Sequence, residues 1–401
     1  MSVKDSQVYL DAARRFRSLF QDAHTAAAYA PGRFEVLGNH TDYNEGFVLS
    51  AATNFGTLAL VSPRADDRCA LTSLNVDETT NSIVNGLAPE ADATWANYVW
   101  GVLDGLKNYG KVATGCNILI AGDLPLGAGL ASSAALEIST GLALSALYSI
   151  NVSSLDLARI GQRAEQTFVG ANTGLLDQIS SLHGKLHQLV LTDFRTLNVE
   201  TLPLARDACF VMCNTGVSHM LSDGQYNARR KHCEQAAVFF DCALDHKVAA
   251  LRDVSWEEWQ KHHAEMNEVC ARHCAHPIGE NERVVRGRDL LMRGDLVGLG
   301  ALMYESHQSS AEYIENSCPE LDFVVATARS IPGVLGARLS GGGFGGSAIL
   351  LTHSRDTDAI MHATTSAYRN KYDRDCETRR LIPSPGASLL AHELSQSPTI
   401  P

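Results

Sequence analysis

The stretch PLGAGLASSAALEIS, residues 125–139, gives the clearest indication of how this chain folds. It follows the apolar run CNILIAG, which is typical of a buried strand, and it leads into residues that predict a helix from about 131 to 148. Glycines at positions 127 and 129 allow backbone amides to approach a ligand closely. Because a helix N-terminus offers free amide groups and a favourable dipole, this strand–loop–helix unit could hold a phosphate.

The serines that open this helix add hydroxyl groups to the same place. Ser132 and Ser133 could contact a phosphate or Mg²⁺, although a tight turn capped by serine would use the same residue types. The pattern GxxxxGK[ST] is absent from the sequence, so the loop is not a Walker loop.

Length and composition bound the rest of the molecule. The chain has 401 residues, of which 45% are hydrophobic and 19% charged, and this balance excludes wholesale disorder. We expect two domains, residues 1–204 and 205–401, each able to bury a core. The formal net charge of −12 argues against nucleic acid as a partner. It does not exclude a nucleotide, because helix amides and a bound cation can neutralise phosphates locally.

The sequence also carries expectations about compartment. Its first twenty residues lack a basic segment followed by an apolar one, and no stretch of about 18 apolar residues occurs in the chain. The ten cysteines are scattered, and most have apolar neighbours. We therefore expect a cytoplasmic protein with reduced thiols, no membrane partner and a monomeric state.

Residues 31–46, PGRFEVLGNHTDYNEG, place polar side chains at unusual density between apolar segments. Arg33, Asn39, His40 and Asp42 would together suit a ligand rich in hydroxyl groups, such as a sugar. A turn would explain the Asn, Asp and Gly residues equally well. The surrounding segments, TAAAYAP, RFEVLG, GFVLSAAT and TLALVSP, predict separate short strands broken by turns.

Three further segments carry weaker signals. Asp177, in NTGLLDQIS, could be a general base at the start of a helix or simply a favourable N-terminal charge. The run RLSGGGFGGSAILL, residues 338–351, predicts two strands joined by a glycine loop. The stretch SDGQYNARRKHCEQA contains Tyr226 and a basic trio, residues 229–231, that is typical of a solvated helix face.

Residues 262–276 combine four histidines with Cys270 and Cys274. Zinc could use such ligands, but paired CxxC motifs are absent. We favour one amphipathic helix with buried thiols and exposed histidines.

Taken together and in this order, these motifs resemble those of the galactokinase family within the GHMP small-molecule kinases. GRFEVLGNHTDYNEGFVL is similar to the family signature GRxNxIGEHTDYNxGxVL, and PLGAGLASSAA to the phosphate loop PxGxGLSSSAA. GLLDQ, QYNARRKHCE, LSGGGFGGSAIL and WANYV resemble further family segments. The resemblance covers residues 30–351 and implies an α+β kinase with an N-terminal ribosomal-protein-like α/β domain and a C-terminal ferredoxin-like domain.

The resemblance also implies roles. Asp177 would be the catalytic base that takes the proton of the sugar's anomeric hydroxyl, and Arg33 would stabilise the carboxylate and the transferring phosphoryl group. Ser133 and Glu165 would bind Mg²⁺. The residues implied to line the sugar pocket are Asn39, His40, Thr41, Asp42, Gly174 and Tyr226. Those implied to hold ATP are Trp95, Gly127, Ala128, Gly129, Leu130, Ala131, Ser132 and Ser133.

Three positions depart from the family pattern. Asn39 replaces a glutamate, Glu35 stands where the family often has asparagine, and Ala131 replaces the first of three serines. An asparagine can both donate and accept, so it could still hold a sugar hydroxyl. It also removes a negative charge that would repel a carboxylate on the sugar.

The resemblance leaves three possibilities for function. The first is an ATP-dependent galactose 1-kinase. The second is a related kinase for galacturonate, an N-acetylhexosamine or arabinose. The third is a sensor that binds sugar and ATP but acts through a protein partner; the uninterrupted phosphate loop and the presence of both Arg33 and Asp177 argue against it.

Overall fold

The computed structural model of this chain describes residues 3, 6–92, 94–125, 127–171, 173–218 and 222–390. The strands in these residues, numbered in chain order, are β1 (Ala26–Leu37), β2 (Phe47–Pro63), β3 (Arg68–Ser73), β4 (Glu78–Ile83), β5 (Cys116–Gly122), β6 (Gln188–Asp193), β7 (Asn198–Pro203), β8 (Ala208–Ser218), β9 (Val334–Ser340), β10 (Gly345–His353), β11 (Glu377–Leu381) and β12 (Ser388–Leu389).

The α-helices are numbered in the same way. They are α1 (Gln7–Phe20), α2 (Ala96–Leu106), α3 (Ser132–Leu147), α4 (Ser154–Ala164), α5 (Leu176–His183), α6 (Ser222–Ala243), α7 (Trp256–His262), α8 (Glu268–Met292), α9 (Leu296–Ser309), α10 (Pro319–Ala328) and α11 (Thr357–Tyr372). None of the helices in the described part of the chain is long and apolar enough to cross a membrane.

The strands form two sheets. The larger sheet has the order β12-β1-β2-β5-β3-β4, and the hairpin β6–β7 pairs with the start of β2. The smaller sheet has the antiparallel order β11-β8-β10-β9. This mixed architecture confirms the α+β fold predicted from the sequence.

Strands β1 and β2 differ from the prediction, because each runs through the turn residues that were expected to break it. They pair antiparallel from Ala26–Val61 to Leu37–Leu49, and the pairing shifts between Pro31 and Arg33. Gly32 lies at this bulge, where a Cβ would come 2.3 Å from the carbonyl oxygen of Leu130. The bulge thus absorbs the Pro-Gly turn signal and lets the phosphate loop touch the strand.

The expected boundary between residues 204 and 205 falls in the connection between β7 and β8. It stays a prediction, and two features show how closely the two sides are joined. The largest hydrophobic cluster combines Phe34 of β1 with Phe210 of β8, whose ring centroids are 4.8 Å apart. Strand β12 returns to the larger sheet and pairs with Ala28 and Tyr29, so the C-terminal part of the chain is not confined to one side.

The segment 262–276 is not the single helix that was expected. It contains the end of α7, a turn of 3-10 helix at His263–Glu265 and the first half of α8. Cys270 and Cys274 are buried as predicted, but His273 and His276 are buried as well, because each has a polar partner inside the protein. All ten cysteines are unbridged.

Candidate active site

A cavity of about 340 Å³ opens between the larger sheet and the elements after residue 205. Strand β1, helix α5, helix α6 and the β9–β10 loop all contribute to its wall. Its lining residues are Arg33, Glu35, Asn39, His40, Asp42, Gly170, Ala171, Thr173, Gly174, Leu176, Asp177, Tyr226, Asn227, Gly341, Gly342, Gly343 and Phe344.

Arg33 and Asp177, which lie 144 residues apart in sequence, form an ion pair in this cavity. The Arg33 Nε donates to Asp177 Oδ1 at 2.8 Å, and the two side chains are 8% and 28% exposed. The Arg33 Nη1 also donates to the carbonyl oxygen of Gly129 at 2.6 Å. One guanidinium therefore links the carboxylate to the loop predicted to hold phosphate.

Asp177 is the second residue of α5, so it is held at the helix N-terminus, where a negative charge is favoured. Arg33 follows the β1 bulge and donates its backbone amide to Leu130 at 2.9 Å. The structure thus brings both predicted catalytic residues together on rigid elements.

The loop between β1 and β2 supplies Asn39 and His40 to the cavity. The Asn39 Nδ2 donates to the Gly341 carbonyl at 2.8 Å, and its Oδ1 accepts from Asn316 Nδ2 at 2.7 Å. The His40 ring lies 5.1 Å from the Tyr226 ring, and its Nδ1 is 2.6 Å from the Tyr43 hydroxyl. Burial lowers the pKa of His40 to about 3, so its ring is neutral.

Thr41 is the one predicted sugar-site residue that does not line the cavity. Its hydroxyl lies 2.7 Å from the carbonyl oxygen of Gly38 and 2.6 Å from that of Phe47. A hydroxyl has a single proton, so it donates to one of these carbonyls at a time. The side chain therefore shapes the loop from within, and sequence reasoning could not tell this position from its neighbours.

Asp42, Gly174 and Tyr226 meet on one side of the cavity. Burial, together with the nearby charges of Glu35 and Asp177, raises the pKa of Asp42 to about 6. A Cβ on Gly174 would lie 2.1 Å from Asp42 Oδ2, so only glycine fits beside this carboxylate.

The phosphate loop runs from Gly127 to Ala131 and ends at α3. Gly127, Gly129 and Ala131 all have positive φ, at 70°, 72° and 56°. Ala128 and Leu130 are buried and anchor the loop, whereas the two glycines are exposed. No side chain among the described residues caps α3, and its first turn carries no acidic residue, so its amides are available to an anion.

Ser133 and Glu165 lie side by side behind this loop. Glu165 follows the last residue of α4 and begins a π-helical turn at Glu165–Val169. Its carboxylate accepts hydrogen bonds from the hydroxyls of Thr173 and Ser133 and from Gln178 Nε2 at 3.3 Å. Burial and the charge of Asp177 nevertheless raise the pKa of Glu165, which indicates that the carboxylate lacks a compensating cation.

Trp95 lies apart from the main cavity. It lines a second, smaller cavity of about 70 Å³ with Thr57, Ser73 and Asn75. Leu124, just before the phosphate loop, lines this cavity too. The phosphate loop therefore runs between the two cavities.

Sequence reasoning missed several residues of the main cavity. The most important is Glu35, whose Oε1 accepts from Arg338 Nη1 at 3.0 Å; both side chains are buried. The family pattern has asparagine at position 35 and glutamate at position 39, whereas this chain has Glu35 and Asn39. This exchange was the sequence signal that could have placed Glu35 in the cavity. The glycines at 341–343 were noted in the sequence, but nothing there placed their carbonyl groups beside Asn39.

The chain matches three family models. They are the galactokinase galactose-binding signature over residues 14–63, the GHMP kinases N terminal domain over residues 97–185 and the GHMP kinases C terminal domain over residues 288–370. It is 39% identical to a galactokinase of Haemophilus influenzae (strain PittGG), covering 85% of this chain and 88% of that protein. The chain belongs to the galactokinase family. It is accordingly a sugar kinase, as the resemblance implied.

Other relatives agree with this assignment. A galactokinase of Actinobacillus succinogenes is 37% identical over 89% of this chain and 92% of its own length. The structure of Lactococcus lactis galactokinase complexed with galactose superimposes with a TM-score of 0.90 at 30% identity, over 95% of this chain and 100% of that one. A mevalonate kinase structure, 16% identical with a TM-score of 0.61 over 89% and 99%, shares the fold alone.

Proposed function

We propose that this protein transfers the γ-phosphoryl group of ATP to the anomeric hydroxyl group of galactose. The single observation that carries this proposal is the Arg33–Asp177 pair, joined at 2.8 Å within a cavity between a polar loop and a phosphate loop. The family relationship and the galactose-bound structure of a relative support the choice of sugar.

In the proposed reaction Asp177 accepts the proton of the anomeric hydroxyl as that oxygen forms a bond to the γ-phosphorus. The bond between the γ-phosphorus and the β–γ bridging oxygen breaks, and ADP leaves. Arg33 stabilises the Asp177 carboxylate before transfer and the charge on the phosphoryl group during it. Because Arg33 also binds the Gly129 carbonyl, it fixes the distance between Asp177 and the phosphate loop. Such positioning is a large part of phosphoryl-transfer catalysis.

We propose that the free amides of α3 and the exposed glycines 127 and 129 hold the ATP phosphates. The adenine ring of ATP would then enter the second cavity, against the half-buried ring of Trp95. Asn75 donates to the Gly122 carbonyl at 2.9 Å, which leaves its side-chain oxygen to accept from an adenine amino group.

We propose that Ser133 and Glu165 hold Mg²⁺, which would neutralise charge on the ATP phosphates. The fit rests on a hydroxyl and an undercompensated carboxylate lying together behind the phosphate loop. No cluster of three or more His, Cys, Asp or Glu ligands occurs in the described residues. This agrees with an ion that takes its other ligands from nucleotide phosphates and water.

The protein is proposed to act as a monomer in the cytoplasm. Its ten unbridged cysteines suit a reducing compartment.

A second candidate substrate is an acidic sugar such as galacturonate. Asn39 lines the cavity as a neutral group, and one of its amide protons remains after the bond to Gly341. That proton could donate to a sugar carboxylate.

A sugar panel with ATP and Mg²⁺ tests the proposal, with galactose, galacturonate, N-acetylgalactosamine and arabinose as acceptors. We expect galactose to give the highest kcat/KM, and the variant Asn39→Glu to raise the ratio of galactose to galacturonate turnover. A ratio unchanged by Asn39→Glu would show that Asn39 does not read the sugar. The absence of any sugar phosphate would favour a sensor.

A further inference from the structure

The loop that carries Asn39 and His40 has a backbone conformation that its own residues do not favour. Gly38 has φ of 106° and His40 has φ of 61°, and the second value is uncommon for a residue with a side chain. Such a loop keeps one shape only when its surroundings hold it. The surroundings here are side chains of α8, which begins 228 residues beyond His40 in sequence.

Glu280 of α8 binds the loop through its backbone amides. Its Oε1 accepts from the amide of Gly38 at 2.8 Å, from that of Asn39 at 3.4 Å and from the Ser306 hydroxyl at 2.7 Å. Its Oε2 accepts from Arg283 Nε at 2.6 Å. A fully buried carboxylate is thus satisfied on both oxygens.

His276, one turn earlier on α8, binds the backbone carbonyl group of Asn39. Its Nε2 lies 3.1 Å from the carbonyl oxygen of Asn39, so Nε2 must carry the proton and donate. Burial lowers the pKa of His276 well below 6.5, so the ring is neutral. Its Nδ1 therefore accepts from the Ser309 hydroxyl at 2.9 Å.

Arg283 closes the network. Its Nε donates to Glu280 and its Nη2 donates to Ser309 Oγ at 3.0 Å. One guanidinium therefore links Glu280, which binds the Asn39 amide, to Ser309, which binds His276. The donor and the acceptor of each hydrogen bond in this network follow from the chemistry of the side chains. We call this set, Glu280, His276, Arg283 and Ser309, the α8 clamp.

We propose that Glu280 and His276 are positioning residues for sugar phosphorylation, because they hold the backbone amide and carbonyl of Asn39 and so fix the loop that faces the sugar. The inference rests on the proposed function and extends it to residues outside the lining of the main cavity. No hydrogen bond of either residue reaches the phosphate loop, Arg33 or Asp177 in the described part of the chain. Loss of the clamp should therefore weaken sugar binding and spare ATP binding.

Two substitutions at position 276 separate positioning from packing. The amide nitrogen of glutamine can replace Nε2 of histidine and donate to Asn39, whereas asparagine is shorter and can replace only the contact of Nδ1 with Ser309. We expect His276→Asn to raise the KM for galactose on the order of tenfold, because a buried carbonyl loses its donor. His276→Gln should keep most of the affinity, and the KM for ATP should stay within about twofold in both variants.

His307→Asn on α9 is the matched control. His307 is buried as well, its Nδ1 accepts from the Leu339 amide at 3.2 Å, and its Nε2 lies 3.1 Å from Asp322. This variant loses the Nε2 contact, as His276→Asn does, but its partner is the Asp322 carboxylate outside the cavity. It should leave the KM for galactose unchanged. Equal KM values for galactose in His276→Asn and His276→Gln, or equal increases for galactose and ATP, would overturn the proposal.

Hydrogen exchange in the absence of substrate distinguishes failure of this inference from failure of the proposed function. Peptides that span Gly38 and Asn39 should exchange faster in His276→Asn than in His276→Gln. If wild-type protein fails to phosphorylate galactose, the proposed substrate is wrong while the exchange difference still supports the clamp. If the two variants exchange alike, the clamp is wrong whatever the sugar.

Discussion

Glu280, which holds the loop at the sugar end of the active site, and Glu137 and Glu165, which lie at the phosphate end, are buried carboxylates with opposite electrostatic surroundings. At the sugar end, burial acts to raise the pKa of Glu280, yet Arg283, Arg338 and its hydrogen bonds bring that pKa well below its ordinary value. At the phosphate end, burial raises the pKa of Glu137 and of Glu165, and the few donors around them do not reverse it.

This difference indicates which of these carboxylates is stabilised by the protein alone. The Glu280 carboxylate already has an arginine, a hydroxyl and two backbone amides, so the loop that it holds is organised before any ligand binds. Glu165 is short of positive charge, and the magnesium nucleotide that we propose as ligand would supply it. The protein therefore fixes the Asn39 loop by itself, whereas the charge balance around Glu165 is left to the ligand.

The largest effect is expected where the two ends meet, at Asp177. Asp177→Asn removes the proposed base but keeps an oxygen that can accept from Arg33 Nε. We expect kcat to fall by about 10²–10⁴-fold, which is the usual contribution of a general base. Steady-state kinetics measures this, with the melting temperature and galactose affinity as controls for folding. Turnover near that of the wild type would remove Asp177 from the mechanism.

The next largest effect is expected at Glu165, the carboxylate proposed to bind Mg²⁺ at the phosphate end. Glu165→Gln keeps the size of the side chain and removes its negative charge. We expect the Mg²⁺ concentration for half-maximal rate to rise on the order of tenfold, because one anionic ligand is lost.

Glu137→Gln is the matched control for this variant. Glu137 is fully buried one turn into α3 and receives a hydrogen bond from the same Gln178, at 2.9 Å. Its side chain is bonded to Gln178, whereas Glu165 also contacts Ser133, the other proposed Mg²⁺ ligand. Glu137→Gln should leave the Mg²⁺ requirement unchanged. If both variants shift it equally, the effect comes from charge in general and Glu165 is not a ligand.

The sequence predicted that Arg33 and Asp177 lie together because each belongs to a motif that resembles the same family, and the structure joins them. It did not foretell the α8 clamp. His276, Glu280 and Arg283 are spaced four and three residues apart, which puts them on one helix face, but polar residues on a helix usually face solvent. Their partners on the Asn39 backbone could be found only from the tertiary structure.

Local rules also misplaced some boundaries. Pro31 and Gly32 are strong turn signals, yet they form a bulge inside β1 because pairing with β2 continues on both sides. The start of α4 follows a local rule instead: the hydroxyl of Ser153 accepts from the Asp156 amide and caps the helix. Capping depends on a few adjacent residues, whereas the strand depends on distant partners such as Gly56, which pairs with Pro31 from 25 residues away.

A smaller effect is expected on the stability of the folded protein, and it tests the contrast between Glu280 and the carboxylates of the phosphate end. Glu280→Gln should lower the free energy of unfolding at neutral pH by about 3 kcal/mol, because Arg283 and two loop amides lose a buried charge. Since the pKa of Glu280 is lowered in the folded protein, its stabilisation is present above the unfolded pKa and is lost as pH falls.

The same substitution at Glu137 should have the opposite sign. The pKa of Glu137 is raised above 4.5 in the folded protein, so its contribution to stability is present below that value and is lost as pH rises. Glu137→Gln avoids this loss, and its stability relative to the wild type should grow by up to about 1.4 kcal/mol per pH unit above that value. Melting temperatures of the wild type and both variants between pH 3 and pH 8 measure the two trends: the effect of Glu280→Gln should shrink below the ordinary pKa of 4.5, and that of Glu137→Gln should grow above it. Parallel trends would contradict the contrast.

The product of the reaction tests the central claim most directly. Wild-type protein, ATP, Mg²⁺ and galactose are incubated together, and the product is examined by phosphorus and proton NMR. We expect one equivalent of galactose 1-phosphate for each ADP formed, with the phosphorus coupled to the anomeric proton. Phosphate on any other hydroxyl, or ATP consumed without a sugar phosphate, would contradict the assignment of Asp177 and Arg33 to transfer at the anomeric oxygen.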